Sequence, residues 1–597
     1  MDKAEAEALV RRFVALPRDR RHTFWTALRE NEVDLALLPI PGGIARGERR
    51  EPSYAQRRMW LLWQLDREAS AYHIATAQRL SGMLDADALE GALVDLCRRH
   101  EALRTTFDDA DGTLAQRVRS NPDLVLARLD LRDRAEDTAR AELAALLRAA
   151  AQVPFDLERG PLLRATLVQL GETEHVLQLV MHHIVADAWS LRVMVEDLSA
   201  LYAARLSGQP EGLAALDVQY SDYALWQRSW LEAGEGERQL AYWTEHLGGG
   251  EQALELPLDR LRPAVWSYRG AVARFEISET TMRGLHTLAQ RGRTTPFVVL
   301  LTAFAVLLQR WSGQGDLRIG VPVANRTRAE TEGLIGLFVN TQVIRVEVDG
   351  GASFAGLVAR VREAALGAQA HQDLPFEQLV DALRPERSLG RNPLFQVMFG
   401  HERLEDGATR LGELRVEELP LDAPVAQFDL ALATQERADG SLVCAFTYAT
   451  DLFDAATIER LGGWFVNLLD GIAARSEQAV GDLPLLTVDE RRWLVEGCND
   501  TASAYDTEPG LVARLRRQAT ATPEAIALVA GVERLDYREL HDRADRLAAG
   551  LRAQGIGPDA LVGLLAERSV AMVVGLLGIL KAGAAWVPLD PELPPDR

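Results

Sequence analysis

Two adjacent histidines followed by an aspartate are the residues in this sequence best suited to catalysis. His182 and His183 close an apolar run, and Asp187 follows four residues after His183. A histidine side chain has an unperturbed pKa of about 6.5, so it can accept a proton, or hold an amine, near neutral pH. The spacing therefore predicts a general base on a loop that a nearby carboxylate fixes in place.

The residues on either side of the histidines predict the elements that position them. Residues 176–181 form a short apolar run, which favours a buried strand. From Leu191 onward, apolar residues recur at helical spacing. We therefore expect a strand, a short loop that carries His183 and Asp187, and then a helix.

Composition and charge indicate a large globular protein and argue against nucleic-acid binding. The chain has 597 residues, of which 47% are hydrophobic and 26% charged, and its net charge is −21. An acidic chain of this kind disfavours a nucleic-acid-binding surface. The 3 cysteines are far apart and lack the spacing of a zinc site or a disulfide framework, so we expect no bound metal. The N-terminal residues also contain no apolar run of signal-peptide length. Scattered cysteines and the lack of a signal peptide together predict a cytoplasmic location.

The hydrophobic pattern divides the chain into six segments. Helices and strands alternate in the two largest segments, so each is expected to be an α/β sandwich. Pro17 splits the first segment into two helices, which either pack on the neighbouring α/β unit or dock on another protein. The last segment ends soon after a strand-like run, and we expect it to be the beginning of a longer domain. The predicted segments are a helical leader at 1–38, a linker at 39–52, α/β units at 53–225 and 226–485, a linker at 486–504 and an α/β segment at 505–597.

Seven segments in a fixed order make the chain resemble a condensation domain of a non-ribosomal peptide synthetase. The histidine pattern alone would be weak, because HxxxD occurs by chance, whereas seven ordered segments are specific. They are SYAQRRMWLL at 53–62, RHEALRTTF at 99–107, MHHIVADAWS at 181–190, YSDYALW at 220–226, IGLFVNTQVIR at 335–345, HQDLPFE at 371–377 and RSLGRNPL at 387–394.

The C-terminal segment resembles the start of an adenylation domain. Residues 535–540 (LDYREL) and 580–590 (LKAGAAWVPLD) are similar to the first two motifs of that family. The family's phosphate-binding loop, amino-acid pocket and C-terminal catalytic lysine are missing from this sequence. We therefore expect no adenylation activity from this chain.

The resemblance to condensation domains implies a fold and a reaction. The fold would have two lobes, each like chloramphenicol acetyltransferase, arranged as a V with a tunnel between them. Donor and acceptor peptidyl carrier proteins would deliver substrates as thioesters on phosphopantetheine arms, and no cofactor would bind this chain directly. The acceptor α-amine would attack the donor acyl or peptidyl thioester and form an amide. Further partners would be the other synthetase modules and the rest of the adenylation domain, with no nucleic acid and no membrane.

Three other functions stay open on the sequence. The chain could be a starter domain that acylates an amino acid with a fatty acyl group. It could be a condensation-like domain that also dehydrates or epimerises the residue. It could also be a docking platform for carrier proteins that catalyses nothing.

The resemblance also implies roles for individual residues. His183 is expected to be the catalytic residue, while His182 and Asp187 hold the loop, with Arg326 as the partner of Asp187. Ala188 stands where the family motif HHxxxDG has glycine, which is either a tolerated variant or the cause of a narrower tunnel or altered reaction. Possible tunnel or substrate contacts are Trp189, Ser190, Asn340, Gln372 and Asn392.

Overall fold

The computed structural model of the chain divides into two compact units, Met1–Arg491 and Arg492–Arg597. Part of one predicted motif, residues 387–389, lies outside the described residues. The structure describes residues 2–45, 47–110, 112–209, 212–248, 253–383, 390–403, 410–421, 425–505 and 509–592.

The described strands of the first unit belong to two lobes. The strands of the first lobe are β1 (His73–Ser81), β2 (Thr105–Ala110), β3 (Thr113–Val118), β4 (Leu126–Asp130), β5 (Leu163–Gln169) and β6 (Glu174–His182). Those that come later in the chain are β7 (Gly270–Ile277), β8 (Asp316–Val323), β9 (Asn340–Glu347), β10 (Val397–Arg403), β11 (Arg410–Leu411), β12 (Leu414–Leu419), β13 (Leu430–Glu436) and β14 (Leu442–Ala449).

These strands build two six-stranded sheets, ordered β11-β12-β1-β6-β5-β4 and β7-β14-β13-β10-β8-β9, and a separate β2–β3 hairpin. Both large sheets are mixed, since β4 runs parallel to β5 and β10 runs parallel to β8 and β13. One hairpin of the second lobe crosses to the first, where β12 pairs with β1 from Ala77–Leu419 to Ser81–Arg415. The crossing couples the two lobes through backbone hydrogen bonds.

Helices cover the faces of both sheets. The long apolar run at residues 297–311 lies in one of these helices, and its residues Val298–Leu308 are buried in the core of the second lobe. The helices of the first unit are α1 (Lys3–Ala15), α2 (Arg18–Glu30), α3 (Tyr54–Leu65), α4 (Ala86–Arg99), α5 (Glu136–Gln152), α6 (Ala188–Ser207), α7 (Tyr220–Trp230), α8 (Gly236–Leu247), α9 (Glu279–Arg291), α10 (Pro296–Ser312), α11 (Ala329–Glu332), α12 (Phe354–Gln369), α13 (Phe376–Leu383), α14 (Ala455–Ala474) and α15 (Val488–Arg492), which ends just inside the second unit.

The leader forms the two predicted helices and packs on the first unit. Pro17 precedes α2, where a missing backbone N–H costs nothing. Val10, Phe13 and Trp25 are buried in the same hydrophobic cluster as the α7 side chains of the first unit. Of the two alternatives for the leader, packing is the one observed.

The second unit contains α16 (Leu511–Ala521), α17 (Tyr537–Ala553), α18 (Val570–Ala582), β15 (Ile526–Ala530), β16 (Glu533–Asp536), β17 (Leu561–Leu565) and β18 (Ala585–Leu589). β15 pairs antiparallel with β16, and β17 pairs parallel with β18. Helices and strands alternate along this unit, as expected for the α/β segment predicted at 505–597.

In the described part of the chain, no single helix is long and apolar enough to cross a membrane. Taken together, α9 and α10 would be long and apolar enough, but the two helices are bent by 108° at the break between them.

Candidate functional site

The loop with the two histidines is fixed by the strand before it and the helix after it. His182 is the last residue of β6 and pairs with His73 at the start of β1. The His183 backbone N–H then donates to the Tyr72 carbonyl at 2.8 Å, and a short turn spans His183–Val185. Asp187 caps α6 by accepting from the Ser190 backbone N–H. The strand, loop and helix predicted from the sequence are the observed ones.

His183 reaches the cavity between the lobes. The cavity has a volume of about 390 Å³, and its lining comes from α3 and the residue before β1 in the first lobe and from β8, β9 and α13 in the second. The ring Nδ1 of His183 is buried and has no hydrogen-bond partner among the described residues, which leaves Nε2 as the nitrogen that can meet a substrate.

The electrostatic setting keeps the His183 ring neutral. Burial lowers the pKa of His183, and nearby backbone groups and the Asp187 carboxylate oppose that shift only in part. A neutral imidazole at pH 7 can accept a proton or a hydrogen bond.

His182 is held inside the first lobe instead. Its side chain is buried, and its Nδ1 accepts a hydrogen bond from the Ile184 backbone N–H at 3.1 Å. Burial lowers the pKa of His182 to about 3, and the neighbouring His73 and His183 add to the shift. The ring is therefore neutral and engaged with its own loop, and it is not among the residues that line the cavity.

The Asp187 carboxylate is buried and saturated with hydrogen bonds. It accepts from Arg326 at 3.1 Å, from the Ser190 backbone and hydroxyl at 2.9 and 2.7 Å, and from the Phe338 and Val339 backbone at 2.9 and 3.1 Å. Asp187 stands on the histidine loop, and three of its donors, Arg326, Phe338 and Val339, belong to the second lobe. This carboxylate therefore joins the loop to the second lobe. Its geometry is that of a structural brace.

Arg326 is the expected partner of Asp187, and it is equally enclosed. It donates to the Thr331 carbonyl and, at 2.7 Å, to the Leu334 carbonyl, and its guanidinium lies 4.1 Å from the centre of the Phe338 ring. Burial lowers the pKa of Arg326, and Asp187 opposes the shift. A buried ion pair of this kind is costly to break, because the remaining charge loses its partner.

Ala188 and the two residues after it begin α6 and lie away from the cavity. Ala188 is helical and exposed, so its backbone does not need the conformational freedom of glycine. Trp189 is half-buried and donates its ring N–H to the Glu332 carbonyl at 2.9 Å, and Ser190 is buried against Asp187. The described cavity lining includes none of these three residues.

Two of the three predicted amide contacts reach the cavity. Asn340 and Asn392 line it, whereas the Gln372 side chain does not. Asn340 also fixes the loop before α13. Its side chain donates to the Gln372 and Leu374 carbonyls at 2.9 and 2.7 Å and accepts from the Phe376 backbone N–H at 3.1 Å. The Asn392 side-chain oxygen is buried and has no hydrogen-bond partner among the described residues.

Other lining residues were not singled out from the sequence. Arg58 lies 3.4 Å from Glu377 across the cavity, and the wall beside His183 carries Tyr72, Tyr268 and Gln427. Arg58 belongs to the motif at 53–62, so the sequence could have indicated it as a residue of the site. The others have no local pattern that marks them. Elsewhere in the described residues, no cluster of three or more histidine, cysteine or acidic side chains could hold a metal ion.

Comparison with known proteins identifies relatives for both units. The family model of the condensation domain matches residues 51–495, and that of the AMP-binding enzyme matches residues 515–597. One of the linear gramicidin synthase proteins of Brevibacillus parabrevis is 44% identical over 573 residues, which is 96% of this chain but only 11% of that protein.

Two solved structures share the fold. Holo-AB3403, a four-domain non-ribosomal peptide synthetase bound to AMP and glycine, matches with a TM-score of 0.75 at 27% identity, over 93% of this chain and 43% of that one. The X-domain from teicoplanin biosynthesis, solved in complex with OxyB, matches with a TM-score of 0.68 at 33% identity, over 75% of this chain and 98% of that one. The likeness confirms the predicted pair of lobes in a V within the first unit.

Proposed function

The chain belongs to the condensation-domain family of non-ribosomal peptide synthetases, and we propose that its first unit joins two carrier-bound substrates through an amide bond. The acceptor α-amine nitrogen attacks the carbonyl carbon of the donor thioester, so that a C–N bond forms and the C–S bond breaks. The amine loses a proton, and the leaving thiolate gains one. The donor carrier is released with a free thiol, and the lengthened product stays on the acceptor carrier.

One observation carries this proposal: of the two adjacent histidines, only His183 reaches the cavity between the lobes. His182 is bonded to its own loop, and Asp187 is saturated by Arg326 and backbone donors. His182 and Asp187 therefore support the loop, and His183 is the residue of this motif that we propose as the catalytic one.

The neutral His183 ring suits the reaction it is proposed to assist. Its Nε2 can accept a hydrogen bond or a proton from the attacking amine, a contribution that is typically worth about 10² to 10⁴ in rate. Holding both thioesters in one cavity supplies a further acceleration by orientation. A thioester is reactive enough that no covalent enzyme intermediate is needed.

The proposed partners are donor and acceptor peptidyl carrier proteins, and their phosphopantetheine arms are parts of the substrates. The other synthetase modules and the rest of the adenylation domain complete the set. The AMP-binding family model matches residues 515–597 in the second unit, and the proposal assigns the condensation reaction to the first unit. The three free cysteines fit a reducing cytoplasm.

A docking platform without catalysis is the second candidate. It is favoured by the likeness to an X-domain solved in complex with OxyB. The cavity with His183 in its wall favours catalysis instead, because a docking surface has no need of a histidine in an internal cavity.

The experiment presents the full chain with an acyl- or dipeptidyl-loaded donor carrier and an aminoacyl-loaded acceptor carrier, and follows both carriers by intact-protein mass spectrometry. Transfer of the donor mass to the acceptor carrier is the expected result. A further loss of one water would assign a dehydrating domain, and transfer from fatty acyl donors alone would assign a starter domain. Binding of carriers with no transfer from any donor would identify the docking platform.

A further inference from the structure

Two tyrosines from different lobes meet on the cavity wall beside His183. Tyr72 stands just before β1, and Tyr268 stands just before β7. Their ring centres are 6.3 Å apart with the planes at 66°, an edge contact, and both residues line the cavity. The Tyr72 carbonyl accepts the His183 backbone N–H, so this contact is anchored directly to the proposed catalytic residue.

The Tyr268 backbone is held in a conformation that side-chain-bearing residues rarely adopt. Its φ is +59°, in the left-handed region that favours glycine. The Tyr268 carbonyl accepts from the Ala426 N–H at 3.0 Å, and the Trp266 ring N–H donates to the Ala426 carbonyl at 2.8 Å. Strained residues that their surroundings hold in place cluster at functional sites, where the strain fixes a side chain.

A second contact between the lobes lies next to Tyr72. The Gln427 side chain donates to the Ala71 carbonyl at 3.1 Å, next to Tyr72 in the chain. Burial, with a smaller effect of the neighbouring Tyr72 phenol, raises the pKa of Tyr268, so its ring presents a neutral surface at physiological pH. The Gln427 contact and the backbone of Tyr268 therefore hold the tyrosine pair where the two lobes meet.

Resting on the proposed function, we infer that the Tyr72–Tyr268 pair determines substrate specificity by limiting the bulk of the side chain that can lie beside His183. The limit acts on an aminoacyl side chain next to the thioester carbonyl, whether the donor or the acceptor supplies it. Discrimination by size in an apolar pocket is worth about 10- to 200-fold.

The test measures binding to the full chain by calorimetry, with pantetheine amides that cannot react. Glycyl and tryptophanyl amides are compared in two series, one with a free amine to represent the acceptor and one with an N-acetyl group to represent the donor. Wild type is expected to prefer the glycyl probe at least about tenfold in one series. Tyr268→Gly, which suits the left-handed backbone, should bring that ratio close to one, and the responding series identifies the substrate.

Tyr268→Phe keeps the ring and should keep the wild-type ratio. Tyr242→Leu, which removes a half-buried tyrosine outside the cavity lining, should also keep it. Tyr72→Leu tests the same claim from the other lobe, and melting temperatures show which variants are folded. Ratios within threefold of wild type in folded Tyr268→Gly or Tyr72→Leu, in both series, would overturn the inference. A shifted ratio in a chain that transfers no acyl group would count against the proposed function alone.

Discussion

At the scale of single residues, the histidine loop separates chemistry from support. His183 lines the cavity, whereas the side chains of His182, Asp187 and Arg326 are engaged within the fold. Burial keeps both imidazoles neutral. A general base needs that state, and a buried structural histidine tolerates it, so the same physical cause serves both roles.

Removing either partner of the buried ion pair should destabilise the fold. Asp187→Ala leaves Arg326 buried without its carboxylate, and Arg326→Ala leaves Asp187 buried without its cation. We expect a loss of roughly 3–5 kcal/mol in the free energy of unfolding for either variant, together with lower activity. Urea denaturation of both variants checks this. Wild-type stability with only the rate reduced would show that the pair acts in the chemistry instead.

The buried His182 predicts a loss of stability in acid. Its folded pKa of about 3 lies below the ordinary value of about 6.5. Stability from this group is complete above the unfolded pKa and is lost as the pH falls toward the folded one, because the unfolded state binds the proton first. Between pH 7 and pH 5 the loss is about 2 kcal/mol.

The His182→Gln variant isolates this contribution from the other titrating groups. Denaturation in urea at pH 7 and at pH 5 gives the change in unfolding free energy for wild type and variant. The wild type should lose about 2 kcal/mol more than the variant. Equal losses in both would mean that His182 titrates in the folded protein as it does in the unfolded chain.

At the scale of elements, the leader is fitted to a kink between α7 and α8. Gly234 has a φ of +132°, and a Cβ added there would lie 2.6 Å from the Trp25 ring of α2. His22 of the same helix bonds to the Ala233 carbonyl at 2.8 Å. The fit makes α2 a part of the first unit, although the condensation-domain match begins only at residue 51.

Gly234→Ala should therefore destabilise the first unit by more than about 1 kcal/mol, through the backbone conformation and the clash with Trp25. Gly463→Ala is the matched control, because Gly463 lies inside α14 with open space around it. Alanine in that helix should be neutral or stabilise by up to about 1 kcal/mol. Thermal unfolding of the two variants compares them. A Gly234→Ala variant as stable as the control would show that the leader packs more loosely.

The elements that carry a local period could be predicted from the sequence, and the others could not. The apolar run at 176–181 predicted a buried strand at nearly the observed bounds of β6, and the helical spacing from Leu191 onward predicted α6. β12 was missed because its residues, LRVEEL, are mostly outside the core and its partner β1 is distant in the chain. Pairing of that kind leaves no local pattern.

The same reason divides the candidate site. His183 was predicted from its motif, and Arg326 was expected because the family resemblance supplied the partner. Tyr268 and Gln427 reach the wall only because the second lobe folds back on the first. The sequence showed that Ala188 departs from the motif, but not what the extra methyl group does. In the structure Ala188 begins α6 and lies outside the described cavity lining.

At the scale of the whole first unit, three kinds of contact hold the lobes around one cavity. The crossing strand β12 extends the first sheet, the Asp187–Arg326 pair braces the histidine loop, and Gln427 bonds to the Ala71 carbonyl. The cavity lies where these lobes meet, since its lining comes from both of them. A cavity lined from both lobes suits the proposed reaction, in which two carrier-bound substrates have to meet.

The most direct measurement is the single-turnover rate of acyl transfer between loaded carriers for wild type, His183→Ala and His286→Ala. His286 is a half-exposed histidine of α9 that does not line the cavity, so its variant is the matched control. We expect His183→Ala to be slower by about 10² to 10⁴ at unchanged melting temperature, and His286→Ala to match wild type. Product formed by folded His183→Ala at the wild-type rate would contradict the assignment of His183 as the catalytic residue.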